Sequence, residues 1–199
     1  VDYGGEKIVT VMQATAQAAG VYDAAGGAVV EPVALAALFA PVLPGAAAAS
    51  MPGGTAASAA AGVAMVDFPS LHFDPVARRW VMAAAYSDWN WDTSRPGQPL
   101  VAASATDDPA GDWKVAALPD PGGIPGITAC DPDTHYPVIY NAQSTLDGHG
   151  VYVTGEVLCS ALDGAKDRDG FAGAFIYAVP KAALYDAGGA APLRVAVYS

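Results

Sequence analysis

The stretch MVDFPSLHFDPVARRWVMAA, residues 65–84, reads as a strand, a turn and a strand, and so does DTHYPVIYNAQSTLDGHGVYVTGE, residues 133–156. The two stretches can be laid over one another at a spacing of about 68 residues. In that alignment residues 68–69 fall on 136–137, residues 70–73 on 138–141, and residues 80–82 on 152–154. A longer turn in the second copy absorbs the difference in length.

A repeat of this length with four short apolar runs per unit predicts an all-β fold, and a β-propeller of antiparallel four-stranded blades is the natural candidate. We expect one full blade over residues 63–118, a second over 119–199 and a partial blade over 1–40. Residues 41–62, rich in Ala, Gly, Pro and Ser, are expected to form a linker or an insertion. Because propellers close with roughly 4–8 blades, we expect the chain to be a piece of a larger propeller.

Individual elements follow from the short apolar runs and the turn residues between them. Within the partial blade, we expect a strand at 8–12, a hairpin at 18–30 and a short helix at 31–39. The predicted strands of the two full blades are 63–73, 79–86, 99–105 and 112–118, then 136–142, 150–158, 171–179 and 193–198.

Composition narrows the class of protein. The chain has 199 residues, 53% of them hydrophobic, with a mean hydropathy of +0.28, which fits a folded domain. No apolar run reaches the roughly 20 residues of a membrane span. Nine basic and 20 acidic residues give a net charge of −11, and this acidity argues against a nucleic-acid partner. Neutral sugars or cations are compatible ligands.

The two cysteines, Cys130 and Cys159, lie 29 residues apart. A bridge between them would join the loop entering a blade to the second strand of that blade, and two free, buried thiols are the alternative. We expect the bridge, which implies an oxidising compartment and therefore a secreted or cell-surface protein.

Residues 72–82 of the first stretch (HFDPVARRWVM), followed by LVAASATDDPAGDW (100–113), resemble the blade pattern of secreted β-propellers of the sialidase and glycoside-hydrolase-like superfamily. The hairpin within 100–113 is similar to a loosened Asp-box, with Ser104, Thr106, Asp108, Pro109, Gly111 and Trp113 at the family's positions. Gly111 and Trp113 stand one residue closer than in the family, and one copy is clear. The resemblance, over roughly residues 63–199, implies that the Asp ties the backbone, that the Trp packs between blades, and that the hairpin lies away from any catalytic site.

The residues of this hairpin by themselves predict a turn. Asp108 and Pro109 are typical turn residues, and Gly111 is expected in the left-handed conformation. Trp113 begins a strand and is expected in the core.

The most unusual surface segment is SDWNWDTSRPG, residues 87–97. Exposed aromatic rings flanked by carboxylates and amides suit sugars, which offer C–H patches for stacking and hydroxyl groups for hydrogen bonds. The alternative is that one Trp packs between blades while the acids are solvated. The candidate ligand-binding residues are Trp89, Asn90, Trp91, Asp92 and Arg95.

A propeller would bring the loops of one face together, and these loops carry possible catalytic groups. Glycoside hydrolysis needs two carboxylates roughly 5–10 Å apart. The candidates by position are Asp67, Asp92, Asp133, His135 and Glu156, where the histidine is a possible base or metal ligand and more commonly a structural residue. True sialidase chemistry needs an arginine cluster, and the arginines Arg78, Arg79, Arg95, Arg168 and Arg194 are not expected to converge.

The loop DGAKDRDG, residues 163–170, carries Asp163, Asp167 and Asp169. Such oxygen ligands can hold Ca²⁺, but the loop lacks the EF-hand spacing and its terminal Glu, so an ordinary acidic loop is the simpler interpretation. No cofactor is expected, with Ca²⁺ as the weaker alternative.

These patterns lead to three hypotheses for function. The first is an extracellular, non-catalytic module that recognises carbohydrate or another surface partner. The second is a glycoside-active hydrolase or lyase that uses carboxylates on the same face. The third is a structural propeller segment without a small ligand. The expected partners are carbohydrate or an extracellular protein and the remaining blades of a parent protein, with no nucleic acid and no membrane span.

Overall fold

A computed structural model describes residues 8–12, 18–22, 25–43, 64–88, 97–162, 170–186 and 196–198. These residues form three antiparallel sheets of three, four and four strands, so the predicted all-β class is confirmed. In the described part of the chain, no helix is long and apolar enough to cross a membrane.

The first sheet contains β1 (Ile8–Met12), β2 (Ala18–Tyr22) and β3 (Ala28–Ala34), paired in that order. The predicted helix at 31–39 begins later than expected, because α1 spans Leu35–Leu38 and the residues before it belong to β3. Pro32 lies in a register shift of the β2–β3 ladder, where its missing N–H breaks no regular pairing. A 3₁₀ turn, Ala40–Val42, follows, and most of the predicted linker at 41–62 lies outside the described residues.

The second sheet contains β4 (Ala64–Asp74), β5 (Arg79–Asp88), β6 (Gln98–Ser104) and β7 (Trp113–Ala117). The third contains β8 (His135–Leu146), β9 (Gly150–Ala161), β10 (Gly170–Pro180) and β11 (Ala196–Tyr198), with α2 (Lys181–Tyr185) between the last two strands. In both sheets each strand pairs with the next along the chain. This is the order that the alternating apolar runs predict.

Residues of β5 alternate between two cores. Val81, Ala83 and Ala85 are buried in a cluster with Ile139, Val153 and Phe175 of the third sheet. Met82, Ala84 and Tyr86 are buried in a second cluster, together with Leu35 and Phe39 of the α1 segment. Because successive strand residues point to opposite faces, the second sheet is covered on both sides, by the third sheet on one and by α1 on the other.

The second and third sheets each have a β-bulge in their first strand, and these two bulges correct the predicted alignment. Phe68-Pro69 opposes Ala84 alone, and Asn141-Ala142 opposes Gly155 alone. Phe68 and Asn141 both have positive φ, 54° and 51°, and they begin the bulges of their two strands. The alignment of Phe68 with Tyr136 is therefore wrong, because the bulge and not the Pro residue sets the register of β4 against β8.

The turn after the bulged strand also differs from the prediction. It covers 75–78 in the second sheet and only 147–149 in the third, because β8 continues to Leu146. The second copy thus has the shorter turn. As a result, the number of residues that separates equivalent positions of the two sheets is smaller between β5 and β9 than between β4 and β8.

A second pair of similar motifs in the sequence also reflects the repeat: AALF at 36–39 and AALY at 182–185. These two motifs are separated by twice the distance that relates Phe68 to Asn141. Each follows the third strand of its sheet, in the α1 and α2 segments. The two helices nevertheless pack differently, since Leu35 and Phe39 cover one face of the second sheet while Leu184 belongs to the core on the other face.

Candidate functional site

The first strands of the second and third sheets, β4 and β8, lie side by side and run in the same direction. The rings of Phe68 and Tyr140 meet edge to face with centroids 4.7 Å apart. Further along, the hydroxyls of Ser70 and Ser144 lie 2.7 Å apart, and Ser70 Oγ accepts a hydrogen bond from the Ser144 N–H at 2.9 Å. Equivalent positions of the two sheets therefore stand at nearly the same height.

This alignment defines one common edge of the two sheets, which we call the loop edge. Here β4 and β8 begin, β5 and β9 end, and β6 and β10 begin. The opposite edge carries the turn at 75–78, the hairpin at 105–112, the turn at 147–149 and α2. The loops that the sequence assigns to one face therefore begin and end at the loop edge.

The predicted ligand loop is connected at the loop edge. Its candidate residues Trp89, Asn90, Trp91, Asp92 and Arg95 lie outside the described residues. The chain re-enters at Gly97 against β8: a Cβ at Gly97 would lie 3.0 Å from Ile139 Cγ1 and 3.1 Å from the Ile139 backbone N. The described residues on either side of the Trp-containing segment, Asp88 at the end of β5 and Gly97 beside β8, thus lie at the loop edge.

A cavity of about 260 Å³ opens at the same edge, between the segment 119–134 and the third sheet. Its polar groups come from Asp120, Thr128 and His135, and its apolar wall from Pro132, Pro137 and Val157 among others. Among the described residues, no Lys or Arg side chain lines it. Of these polar residues, the sequence analysis predicted His135 and missed Asp120 and Thr128. The D-P-G run at 120–122 is a recognisable turn signal, but it indicates only a turn and not a site.

The wall of this cavity is held by several contacts. Cys130 and Cys159 form the predicted disulfide, with Cα atoms 5.4 Å apart, and tie the segment to β9. Thr128 N donates to the Ala172 carbonyl at 2.9 Å, and the Tyr177 hydroxyl donates to the Pro119 carbonyl at 2.8 Å. Burial, together with the negative charge of Asp120, raises the pKa of Tyr177 above its usual range, so the phenol stays a donor.

His135 is oriented by a short chain of hydrogen bonds. The Thr134 hydroxyl donates to Asp131 Oδ2 at 2.9 Å and lies 2.8 Å from His135 Nδ1. Since that hydroxyl proton is directed to the carboxylate, Nδ1–H of His135 is the donor to the Thr134 hydroxyl oxygen. The backbone N–H of Asp133 and the Thr134 hydroxyl hold the pKa of Asp131 below its usual range, and the nearby His135 adds to this effect.

The candidate carboxylates do not assemble in this cavity. Asp67 lies on β4 opposite Ala85, and Glu156 lies on β9 opposite Tyr140. Asp133 is exposed in the loop before β8, and Asp92 lies outside the described residues. Of the described candidates for catalysis, His135 alone lines the cavity, where the accompanying carboxylate is Asp120.

The Asp-box-like hairpin lies at the opposite edge. Ser104 Oγ accepts from the Trp80 N–H at 2.8 Å, Thr106 Oγ1 accepts from the Asp108 N–H at 3.1 Å, and Asp108 Oδ1 accepts from the Ala110 N–H at 3.0 Å. Trp113 is half-buried against the clusters on the first-sheet side of the second sheet, and its Nε1 donates to the Pro109 carbonyl at 3.0 Å. These contacts give the hairpin a structural role.

One expectation for that hairpin is wrong. Gly111 does not have a positive φ, and the turn closes through its N–H to the Asp108 carbonyl at 3.2 Å. A turn with negative φ at this position is open to most residue types, so a glycine there does not by itself indicate a left-handed conformation.

Other predicted groups lie away from the loop edge or outside the described residues. Arg78 pairs with Asp107 at the opposite edge, and Arg79 begins β5 there. Arg95, Arg168 and Arg194, and the possible calcium ligands Asp163, Asp167 and Asp169, lie outside the described residues. Within the described ranges, no group of three or more His, Cys, Asp or Glu side chains could hold a metal ion.

No protein-family model, curated protein or solved structure matches this chain. The loop edge and its cavity are therefore the features from which a function can be inferred.

Proposed function

We propose that this chain is part of an extracellular β-propeller whose loop edge recognises carbohydrate without catalysing its cleavage. The propeller assignment is supported by three successive antiparallel sheets whose first strands are neighbours, β1 beside β4 and β4 beside β8. It is supported further by the contacts at equal height between β4 and β8, because rotation about a common axis relates equivalent residues in this way.

The observation that carries the functional proposal is the convergence of two features at one edge. The cavity lined by His135 opens there, and the segment with Trp89 and Trp91 rejoins the sheet at Gly97, in contact with Ile139 of the same strand as His135. Aromatic side chains beside a small cavity with a few polar groups are typical of sugar-binding sites.

The charge of the cavity favours a neutral ligand. Asp120 is the carboxylate of the described lining, His135 and Thr128 add hydrogen-bonding groups, and no described basic side chain lies there to neutralise an anion. The net charge of −11 also repels anionic ligands at long range. A neutral sugar fits this chemistry, because its hydroxyls both donate and accept and its C–H faces pack against proline or aromatic rings.

The glycoside-active alternative is less well supported. General acid and base catalysis of glycoside cleavage needs two facing carboxylates, and the described lining of the cavity provides Asp120 alone. The disulfide supports the extracellular setting, since such bridges persist in oxidising compartments.

A glycan array probed with the protein tests this proposal, using Trp89→Ala/Trp91→Ala as the site variant and Val76→Ala as the control. Val76 is 90% exposed in the turn at the opposite edge, so its replacement leaves the loop edge intact. We expect binding to neutral glycans that falls at least about tenfold in the double variant, the loss of roughly 1.4 kcal/mol or more of stacking energy. Equal binding by the site variant, or no glycan bound by the folded protein, would remove the carbohydrate assignment.

A further inference from the structure

We propose that the outer face of the third sheet, the face turned away from the second sheet, binds a further four-stranded antiparallel sheet supplied by the same polypeptide outside residues 1–199. We propose also that Asp147 pairs with a basic residue in a short helix of that sheet. This inference rests on the propeller assignment and names the surface and the chemistry by which the next blade is held.

The repeat shows which face of the third sheet corresponds to the face by which the second sheet packs against the third. On β5, Val81, Ala83 and Ala85 face the third sheet. Their equivalents on β9 are Tyr152, Thr154 and Glu156. The intervening residues Met82, Ala84 and Tyr86 correspond to Val153, Gly155 and Val157, which point back towards the second sheet.

The outer face carries exposed apolar side chains. Phe171 is 67% exposed and Ile176 42%, and both lie on this face by strand alternation, because they pair with Leu158 and Thr154 of β9. Ile176 is the equivalent of Val101, which is fully buried between the second and third sheets. In repeat proteins a face that ends the stack is polar, so apolar groups at an equivalent interface position favour a covering sheet.

Asp74 shows how one sheet holds the helix of the next. Its carboxylate is 1% exposed, and Oδ2 lies 2.6 Å from Lys181 Nζ and 2.9 Å from the Tyr185 hydroxyl, both in α2 of the third sheet. Its Oδ1 accepts from the backbone N–H groups of Val76 and Ala77 at 3.0 and 3.1 Å. The turn of the second sheet therefore presents a fixed carboxylate to the first residue of the following helix.

Asp147 is the equivalent of Asp74 in the turn of the third sheet. Its Oδ1 accepts from the N–H groups of His149 and Gly150 at 2.7 and 2.9 Å, the same two positions of the turn as in Asp74. Those two donors, aided by the Tyr152 hydroxyl on Oδ2 at 2.9 Å, lower the pKa of Asp147 to about 2. Its described polar partners all belong to the third sheet, so an ionised carboxylate faces outward where a Lys or Arg equivalent to Lys181 would fit.

A second copy of this chain fits the surface less well. Its first sheet would have to supply the helix, and there the residue equivalent to Lys181 is Leu35, which is buried against the second sheet of its own chain. Two copies, each with a net charge of −11, would also repel one another. A further sheet of the same polypeptide is therefore the occupant that the charges and the repeat favour.

Cysteine accessibility in the natural polypeptide that contains residues 1–199 tests the inference. Cys130 and Cys159 are bridged, so Thr154→Cys, at the centre of the outer face, is the one free thiol within residues 1–199, and Val76→Cys is the exposed control. We expect alkylation of Thr154→Cys at least about 100-fold slower than that of the control. A benzophenone maleimide on this thiol is expected to crosslink to a strand outside residues 1–199, in a sheet with a Lys- or Arg-containing helix.

Three results would overturn the proposal. The first is alkylation of Thr154→Cys and Val76→Cys at comparable rates, and the second is a crosslink to residues 1–199 of a second copy. The third is an alkylation rate of Thr154→Cys that does not change when Asp147→Asn is added. Asp131→Asn is the control for this last variant, because Asp131 accepts the same kind of turn hydrogen bond at the other edge. Glycan binding at the loop edge is measured separately, so failure of either proposal is recognised without the other.

Discussion

The carboxylate of Asp74 and the ammonium group of Lys181 form an ion pair, 2.6 Å apart, between the second and third sheets. The pair is buried, since Asp74 is 1% exposed and the Lys181 side chain 12%. Lys114 reinforces the junction by donating to the carbonyls of Ala183 and Asp186, both at 2.8 Å. The helix α2 is thus held to the second sheet at its beginning by charge and near its end by hydrogen bonds.

Replacement of Asp74 by Asn is expected to destabilise the protein by about 3–5 kcal/mol, because it leaves the Lys181 charge buried without its partner. Urea unfolding followed by circular dichroism measures the change. The control is Asp107→Asn at the exposed pair with Arg78, where solvent screens the charges and little effect is expected. Equal effects of the two variants would contradict the role given to the buried pair.

The free energy of unfolding is expected to fall as the pH drops into the range where the turn carboxylates Asp74 and Asp147 become protonated. Burial alone would raise the pKa of Asp74, but hydrogen bonds from Lys181, Ala77, Tyr185 and Val76 outweigh it, and the pKa is lowered overall. A carboxylate with a lowered folded-state pKa contributes stability that is complete above its unfolded pKa of about 3.9 and is lost as the pH falls through the folded value.

Thermal unfolding between pH 6 and pH 2 measures this dependence. The melting temperature is expected to be nearly constant above about pH 5 and to drop between about pH 4 and pH 2, where Asp147, with a pKa of about 2, also becomes protonated. Asp74→Asn should flatten part of the drop. An unchanged profile in that variant would show that Asp74 is not among the groups responsible.

Loss of the disulfide is expected to lower stability by about 3–4 kcal/mol, from the loop-closure entropy of a crosslink between residues 29 apart. The comparison is between Cys130→Ala/Cys159→Ala and the native protein in denaturant. Because Cys130 also lines the loop-edge cavity, glycan affinity should fall in the same variant. Two alkylatable thiols in the native, unreduced protein would contradict the bridge.

Gly97→Ala is expected to cost about 1–3 kcal/mol, because its Cβ would lie 3.1 Å from both the Ile139 backbone N and the Tyr86 carbonyl O. The matched control is Gly148→Ala, where a Cβ meets nothing within 4 Å. Chemical denaturation of the two variants separates crowding from the general effect of losing a glycine. Equal stability of the two would mean that Gly97 is not packed closely against β5 and β8 at the loop edge.

Features that depend on local pattern were predicted best from the sequence. Alternation of apolar residues identified the strands of the second and third sheets, and the spacing of Cys130 and Cys159 in neighbouring elements indicated their bridge. The bulges at Phe68 and Asn141 were missed, since neither residue type signals a bulge by itself, and the alignment based on Phe68-Pro69 slipped out of register as a result.

Long-range partners account for the other differences. The buried charge of Asp74 has no signal in the nearby sequence, because Lys181, with which it pairs, is far away along the chain. Residues 31–34 have a composition that allows a helix, but pairing with β2 holds them in a strand. The cavity likewise depends on the segment 119–134 folding over β8 and β9, which no local pattern indicates.

The most direct test of the loop edge as a recognition face is hydrogen–deuterium exchange of the protein with and without the glycan that it binds best on the array. We predict slower exchange in residues 86–88, 97–98 and 119–137, which border the loop edge, and in the peptides that carry Trp89 and Trp91. We predict unchanged exchange in the hairpin at 105–112 on the opposite edge. Protection confined to that hairpin, or no protection at saturating glycan, would contradict the assignment of the loop edge as the recognition face.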